Sequence, residues 1–128
     1  MSKFLDKKVL LVDDMKSVRI LVEKTLIRFG FTKENISSVE NGKIAFEKIQ
    51  TEKFDLVITD INMEEMTGQE LVEACRKIDS GKDLTFIMLT SDVDPKKMSD
   101  LMALGVQHYL IKPLDQVVLL TKINEIFP

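Results

Sequence analysis

The sequence holds a single cysteine, Cys75, which excludes an internal disulfide and suits a reducing compartment. It has no tryptophan, one tyrosine and only three prolines among 128 residues. No apolar run approaches the roughly 20 residues needed to cross a bilayer. The opening MSKFLDKK lacks the apolar stretch of a secretory signal. Excess positive charge is missing as well. A net charge of -3, with both signs interspersed, gives no basic footprint for nucleic acid and no polybasic membrane contact. The expectation is a cytoplasmic monomer. With 45% hydrophobic residues, a chain of this length can bury a core without disulfide or metal staples. One domain across residues 1–128 is expected.

What is present is alternation. Short apolar runs, VLLV (9–12), ISSV (36–39), LVIT (56–59), FIMLT (86–90) and HYLI (108–111), are separated by segments of helical period. After the first run, Val18, Leu21, Val22, Leu26 and Phe29 recur at helical spacing, with Gly30 as a C-cap. Ala45, Phe46 and Ile49 share a face in the segment opened by Gly42. Gly68, Leu71, Val72, Cys75 and Ile78 share one in the next. Asp94 reads as an N-cap, Pro95 as the first helical position, Met98, Leu101 and Met102 as inward residues, and Gly105 as the stop. Pro113 is expected to open a last helix whose buried side is Leu119, Leu120, Ile123, Ile126 and Phe127. This is β-α repeated five times. Continuous apolar strands are buried on both faces, which implies an α/β fold: a parallel sheet, doubly wound, with helices on both sides.

In such a sheet, ligands bind beyond the carboxyl ends of the strands, at the switch point of strand order. The run ends are Asp13 and Asp14, then Glu40 and Asn41, Asp60, Thr90, and Lys112. If the first and third runs are neighbours, about 4.8 Å apart, Asp13 or Asp14 faces Asp60. Carboxylates about 4 Å apart repel by roughly 4 kcal/mol per pair at an effective dielectric near 20. Without a counter-charge, one of the three should hold a proton at raised pKa. A hard divalent cation removes that cost. Mg2+ prefers a few carboxylates, a carbonyl and several waters, which leaves positions for phosphate oxygens. Lys112 and the Thr90 hydroxyl remain to hold a phosphoryl group.

Four motifs fall in order at strand ends: LLVDD, DINMEEMTG, LTSD and YLIKP. Together they resemble the receiver domain of two-component response regulators, in particular the single-domain chemotaxis (CheY-like) type, over essentially the whole chain. The resemblance implies a flavodoxin-like (βα)5 fold with strand order 2-1-3-4-5. It implies that Asp60 is the phosphoacceptor. Asp14 and Asp60 would ligate Mg2+, Asp13 directly or through water, and Asn62 through its backbone carbonyl. Lys112 would contact the Asp60 carboxylate and the phosphoryl oxygens, Thr90 would hydrogen-bond the phosphoryl group, and Tyr109 would be the aromatic switch. The implied partners are a histidine kinase and a downstream protein such as a flagellar motor switch protein. One departure stands out: the family usually has proline four residues after the phosphoacceptor, and this chain has Glu64, followed by Glu65. The loop is expected to be more acidic and its backbone freer.

Taken singly, each feature has a plainer reading. Asp13-Asp14 could cap a helix, Thr90 could be a cap, and Lys112-Pro113 a strand-to-helix turn. Tyr109 could be packing, His108 solvated or locally bonded, and Cys75 inert core. A flavodoxin-type FMN binder would need a Gly/Ser/Thr phosphate cradle where the carboxylates stand. A haloacid dehalogenase-type phosphatase would need D-x-D on the first strand and a cap domain. A phosphorylation-independent adaptor would be expected to lose an acidic residue or the lysine. The expected function is therefore a stand-alone response regulator, not a classical enzyme; a phosphorelay intermediate or phosphate sink is the alternative.

Overall fold

The computed structural model describes residues 2–91 and 93–128. Its strands are β1 (Val9–Val12), β2 (Ile36–Val39), β3 (Leu56–Asp60), β4 (Phe86–Thr90) and β5 (His108–Ile111). They alternate with helices α1 (Lys16–Phe29), α2 (Gly42–Thr51), α3 (Gly68–Arg76), α4 (Pro95–Ala103) and α5 (Gln116–Ile126). All pairings are parallel, and the strand order is β2-β1-β3-β4-β5, as the resemblance implied.

Side-chain alternation along the strands divides the core in two. Leu10, Val12, Val57, Phe86 and Met88 face α2, α3 and α4, where Ala45, Ile49, Leu71, Val72, Cys75 and Leu101 meet them. Val9, Leu11, Leu56, Ile58, Ile87 and Leu89 point the other way, toward Val22 and Leu26 of α1 and Leu119 and Ile123 of α5. Below this second layer Phe4 stacks on Phe31 with ring centroids 4.6 Å apart, and Phe127 meets Phe4 edge-on at 6.3 Å. β1, β3 and β4 are buried throughout, whereas the edge strands β2 and β5 are only partly so.

Three helix details differ from the sequence reading. In α1, Leu21 is 42% exposed and Thr25 takes the inward place. The Thr25 hydroxyl donates to the Leu21 carbonyl at 2.8 Å, so a polar residue is buried with its hydrogen bond made. In α4, Met102 is 65% exposed, and Leu101 alone is fully buried there. Finally, Pro113 does not open α5. The Lys112–Pro113 peptide is cis, and the helix starts at Gln116, capped by Asp115, whose carboxylate accepts from the N–H groups of Val117 and Val118. Asp94 and Asn41 cap their helices as side-chain acceptors, and Gly30 ends α1 at φ 109°. The final residue of the LTSD motif, Asp92, lies outside the described residues.

At the amino end of the sheet, one side chain ties three segments together. Arg76, the last residue of α3, donates to the carbonyls of Leu104 (2.7 Å), Gly81 (3.0 Å) and Leu84 (2.7 Å) and lies 5.3 Å from the centroid of the Phe86 ring. Burial depresses the proton affinity of this guanidinium, with the negative charge of Asp83 acting in the opposite direction. Arg76→Ala leaves several part-buried carbonyls without donors and is expected to cost about 2–4 kcal/mol. Urea unfolding should show this as a lower midpoint at unchanged slope.

Candidate functional site

The registers set the site. Val12 pairs with Thr59 across β1 and β3, so the next residues, Asp13 and Asp60, emerge at the same level on adjacent strands. Ligand oxygens of Asp13, Asp14 and Asp60 all lie within 4.8 Å of one another. Asp13 is only 2% exposed and Asp60 7%, while Asp14 stands in solvent. One strand beyond β3, β4 ends on Thr90, which is 4% exposed. The Lys112 N–H donates to the Thr90 carbonyl at 2.7 Å, extending the ladder one step past β5. That step aims the lysine stem back across the strand ends. Its ammonium reaches Asp13 Oδ2 at 3.0 Å and Asp60 Oδ2 at 3.4 Å.

The remaining oxygens of the two buried carboxylates meet backbone donors. Asp13 Oδ1 accepts from the Met15 N–H at 2.9 Å, and Asp60 Oδ1 from the Asn62 N–H at 3.3 Å. The helix-cap reading of the aspartate pair does not hold, because α1 has Met15 at its N-cap and no side-chain cap there. Burial, and then the charge of Asp13, raise the Asp60 carboxyl above its ordinary value, against Lys112 and the Asn62 N–H. Burial by itself would lower Lys112. The hydrogen bond and charge of Asp13, with those of Asp60, outweigh it and lift the ammonium. One ammonium therefore serves two buried carboxylates, with a third carboxylate close by. A hard cation fits this donor set, since carboxylate oxygens are its preferred ligands and Asp14 is open to solvent.

The expected residues are thus placed unequally. Asp13, Asp14, Asp60 and Lys112 converge, and Asn62 adjoins Asp60 through its backbone. Tyr109 lies on β5, half-buried, with its hydroxyl donating to the Val106 carbonyl at 2.9 Å and the Met98 carbonyl 3.3 Å away. Burial raises its phenol. His108 stands apart, with Nδ1 lacking a hydrogen-bond partner among the described residues and 3.9 Å from Glu125 Oε2. Two cations escaped the sequence reading. Arg19 Nη1 donates to the Asp13 carbonyl, and Lys97 Nζ to Asn62 Oδ1 at 3.1 Å. A helical spacing cannot reveal either contact, because each depends on where the helix docks. A groove of about 780 Å3 lies at the other end of the sheet, between Glu52, Phe54, Asp55, Asp83 and Leu84.

Close packing fixes the loop after Asp60. A Cβ on Gly68 would sit 2.4 Å from the Asp60 carbonyl oxygen, and one on Gly42 would sit 2.6 Å from the Met66 carbonyl oxygen. The Gly68 N–H donates to the Ile61 carbonyl at 2.8 Å, and Thr67 and Glu70 form a capping box. Between these anchors the acidic departure becomes a tight turn. The Met66 N–H donates to the Glu64 carbonyl at 2.8 Å, with Glu65 between them at φ 70°.

Two outcomes follow from this geometry. Relief of about 1–2 kcal/mol of left-handed strain, less about 0.5–1 kcal/mol of added freedom in the unfolded chain, should make Glu65→Gly more stable by up to about 1.5 kcal/mol. Thermal unfolding checks that sign. In Mg2+-free buffer near neutral pH, Asp60→Asn should be at least as stable as the parent. The folded state raises the Asp60 carboxyl, so its cost is absent below the unfolded value of about 3.9 and grows as pH rises through the folded value. Urea midpoints in EDTA between about pH 4 and about pH 7 should diverge in that direction; a variant less stable at neutral pH would mean that Lys112 outweighs the repulsion.

Comparison with known proteins finds relatives along nearly the whole chain. The chain is 33% identical over 120 residues to the chemotaxis protein CheY of Pseudomonas aeruginosa, covering 94% of this chain and 95% of that one. It is 33% identical over 118 residues to the chemotaxis protein CheY1 of Helicobacter pylori, covering 91% and 94%. Its fold superposes on the solved structure of chemotaxis protein CheY4 from Vibrio cholerae with a TM-score of 0.85 at 35% identity, covering 94% and 98%. The response regulator receiver domain matches over residues 9–124, from the first residue of β1 into α5. With the fold, the acidic cluster and these likenesses in agreement, the chain belongs to the response regulator receiver domain family.

Proposed function

We propose that this protein is a stand-alone phosphorylation switch of a two-component system. Asp60 takes a phosphoryl group from a histidine kinase, and the phosphorylated surface binds a downstream protein. The observation that carries the reading is Lys112 spanning Asp13 and Asp60 at the switch point of the sheet. In the unmodified protein that ammonium balances carboxylate charge; after transfer it is placed to balance phosphoryl charge instead.

Asp60 acts as the nucleophile. Its carboxylate attacks phosphorus and the donor's leaving group departs with the electron pair, so no general base is required. Asp14 and Asp60, the Asn62 carbonyl, and Asp13 directly or through water are the proposed Mg2+ ligands. Bound there, Mg2+ would neutralise charge on the carboxylates and on the transferring oxygens. Thr90 holds the phosphoryl group, and Tyr109 is the aromatic switch whose hydroxyl now rests on carbonyls beside α4. The names of the P. aeruginosa and H. pylori relatives support chemotaxis as the setting, with a flagellar motor switch protein as the partner. A cytoplasmic monomer contacting neither nucleic acid nor membrane fits this role; no described helix is long and apolar enough to cross a membrane.

Incubation with acetyl phosphate and Mg2+, followed by intact-mass analysis, should add one phosphoryl group to the parent and none to Asp60→Asn. The adduct should be lost in alkali. A stable adduct on the variant would move the phosphoacceptor elsewhere. Labelling by one of a panel of histidine kinases, much faster than by the others, would identify the donor.

A further inference from the structure

Two adjacent lysines open α4, and they behave differently. Lys96 pairs along its own helix with Asp100 at 3.6 Å and is almost fully in solvent. Lys97 instead crosses from α4 to the β3–α3 loop and donates to Asn62 Oδ1 at 3.1 Å. Asn62 is in turn bound to the reacting group, because its N–H donates to Asp60 Oδ1 at 3.3 Å. A continuous chain of contacts thus runs from the α4 ammonium through one asparagine to the Asp60 carboxylate. Lys112 approaches the same carboxylate at the other oxygen, from the β5 side.

The charge balance around this chain gives it meaning. Asp13, Asp14 and Asp60 cluster at the strand ends, and the exposed Glu64 and Glu65 follow on the same loop as Asn62. A phosphoryl donor is itself an anion and must enter that negative field before it reaches Lys112, which is largely buried. Lys97 is only half-buried, and Asn62 is exposed. Its ammonium has three N–H groups, of which Asn62 engages one.

We propose that Lys97 is a positioning residue for phosphoryl capture. It holds the Asn62 side chain beside Asp60 and supplies the outer positive charge that an anionic donor meets first. This inference rests on the phosphoacceptor reading of Asp60. In the step it assists, the acetyl phosphate O–P bond breaks and acetate leaves with the electron pair. An Asp60 O–P bond forms, and no proton is transferred. Removal of one positive charge from the path of a dianion should slow that step by about fivefold at low ionic strength. The effect should fade once the Debye length shortens to a few ångströms.

The test compares the parent with Lys97→Gln and Lys97→Arg under Mg2+ and acetyl phosphate across a salt series, scoring Asp60 labelling by mass. The expected result is slower labelling of Lys97→Gln at low salt, convergence with the parent at high salt, and near-parent rates for Lys97→Arg. Equal rates for Lys97→Gln and parent at every salt concentration would overturn the role of Lys97 and leave Asp60 as phosphoacceptor. A deficit that salt does not change and arginine does not rescue would also overturn it, because the side chain would then be structural. A parent that takes no phosphoryl group on Asp60 would sink the phosphoacceptor reading itself, and the role of Lys97 with it.

Discussion

Two carboxylates and one ammonium at the lip of the sheet constrain everything else in this protein. Asp13 and Asp60 are nearly inaccessible to water, and a buried charge without a partner is costly. Lys112 satisfies both, yet it can do so only if β5 stands two strands from β3 and the chain turns back at the right step. Removing the ammonium would leave like charges facing each other across adjacent strands. The site therefore depends on strand order for its electrostatics. It is also left with more negative than positive charge, a surplus that a cation would offset.

The opposite end of the sheet is built on another principle. Arg76 gathers carbonyls from the residue that ends α4 and from the segment between α3 and β4. Stability and chemistry are thus kept apart along the strand axis. The amino ends are closed by hydrogen bonds to backbone and by the Phe4, Phe31 and Phe127 rings. The carboxyl ends carry repulsion, a strained residue at Glu65 and glycines admitted for close approach. Local strain of this kind persists only where surrounding packing over-determines it, and Gly68 against the Asp60 carbonyl supplies that packing.

Much of this was legible in the sequence because the signals were local and periodic. All five strands lie where the short runs stand; the central three, β1, β3 and β4, are buried on both faces and so leave continuous apolar runs. Asp94 and Gly30 were readable as helix ends because capping is a short-range matter, whereas Asn41, read only as the end of a strand, proved to be the cap of α2. The acidic cluster could be anticipated once strand ends were taken together. The misses came from orientation. Leu21 and Thr25 exchanged places because helical period alone cannot say which edge of a broad apolar stripe faces the sheet. Pro113 was read as a helix start although Asp115 is the residue whose carboxylate reaches the free N–H groups. Arg19, Arg76 and Lys97 were invisible because long side chains choose partners only after elements dock.

Cys75 offers a practical consequence. It is fully buried on the inner side of α3, and burial pushes its thiol up to about 11. At neutral pH almost none of it is thiolate, the form that reacts with alkylating probes. The native protein therefore presents a silent background to thiol chemistry. A cysteine introduced on an exposed helix face could carry a spin label or fluorophore without first replacing the natural one.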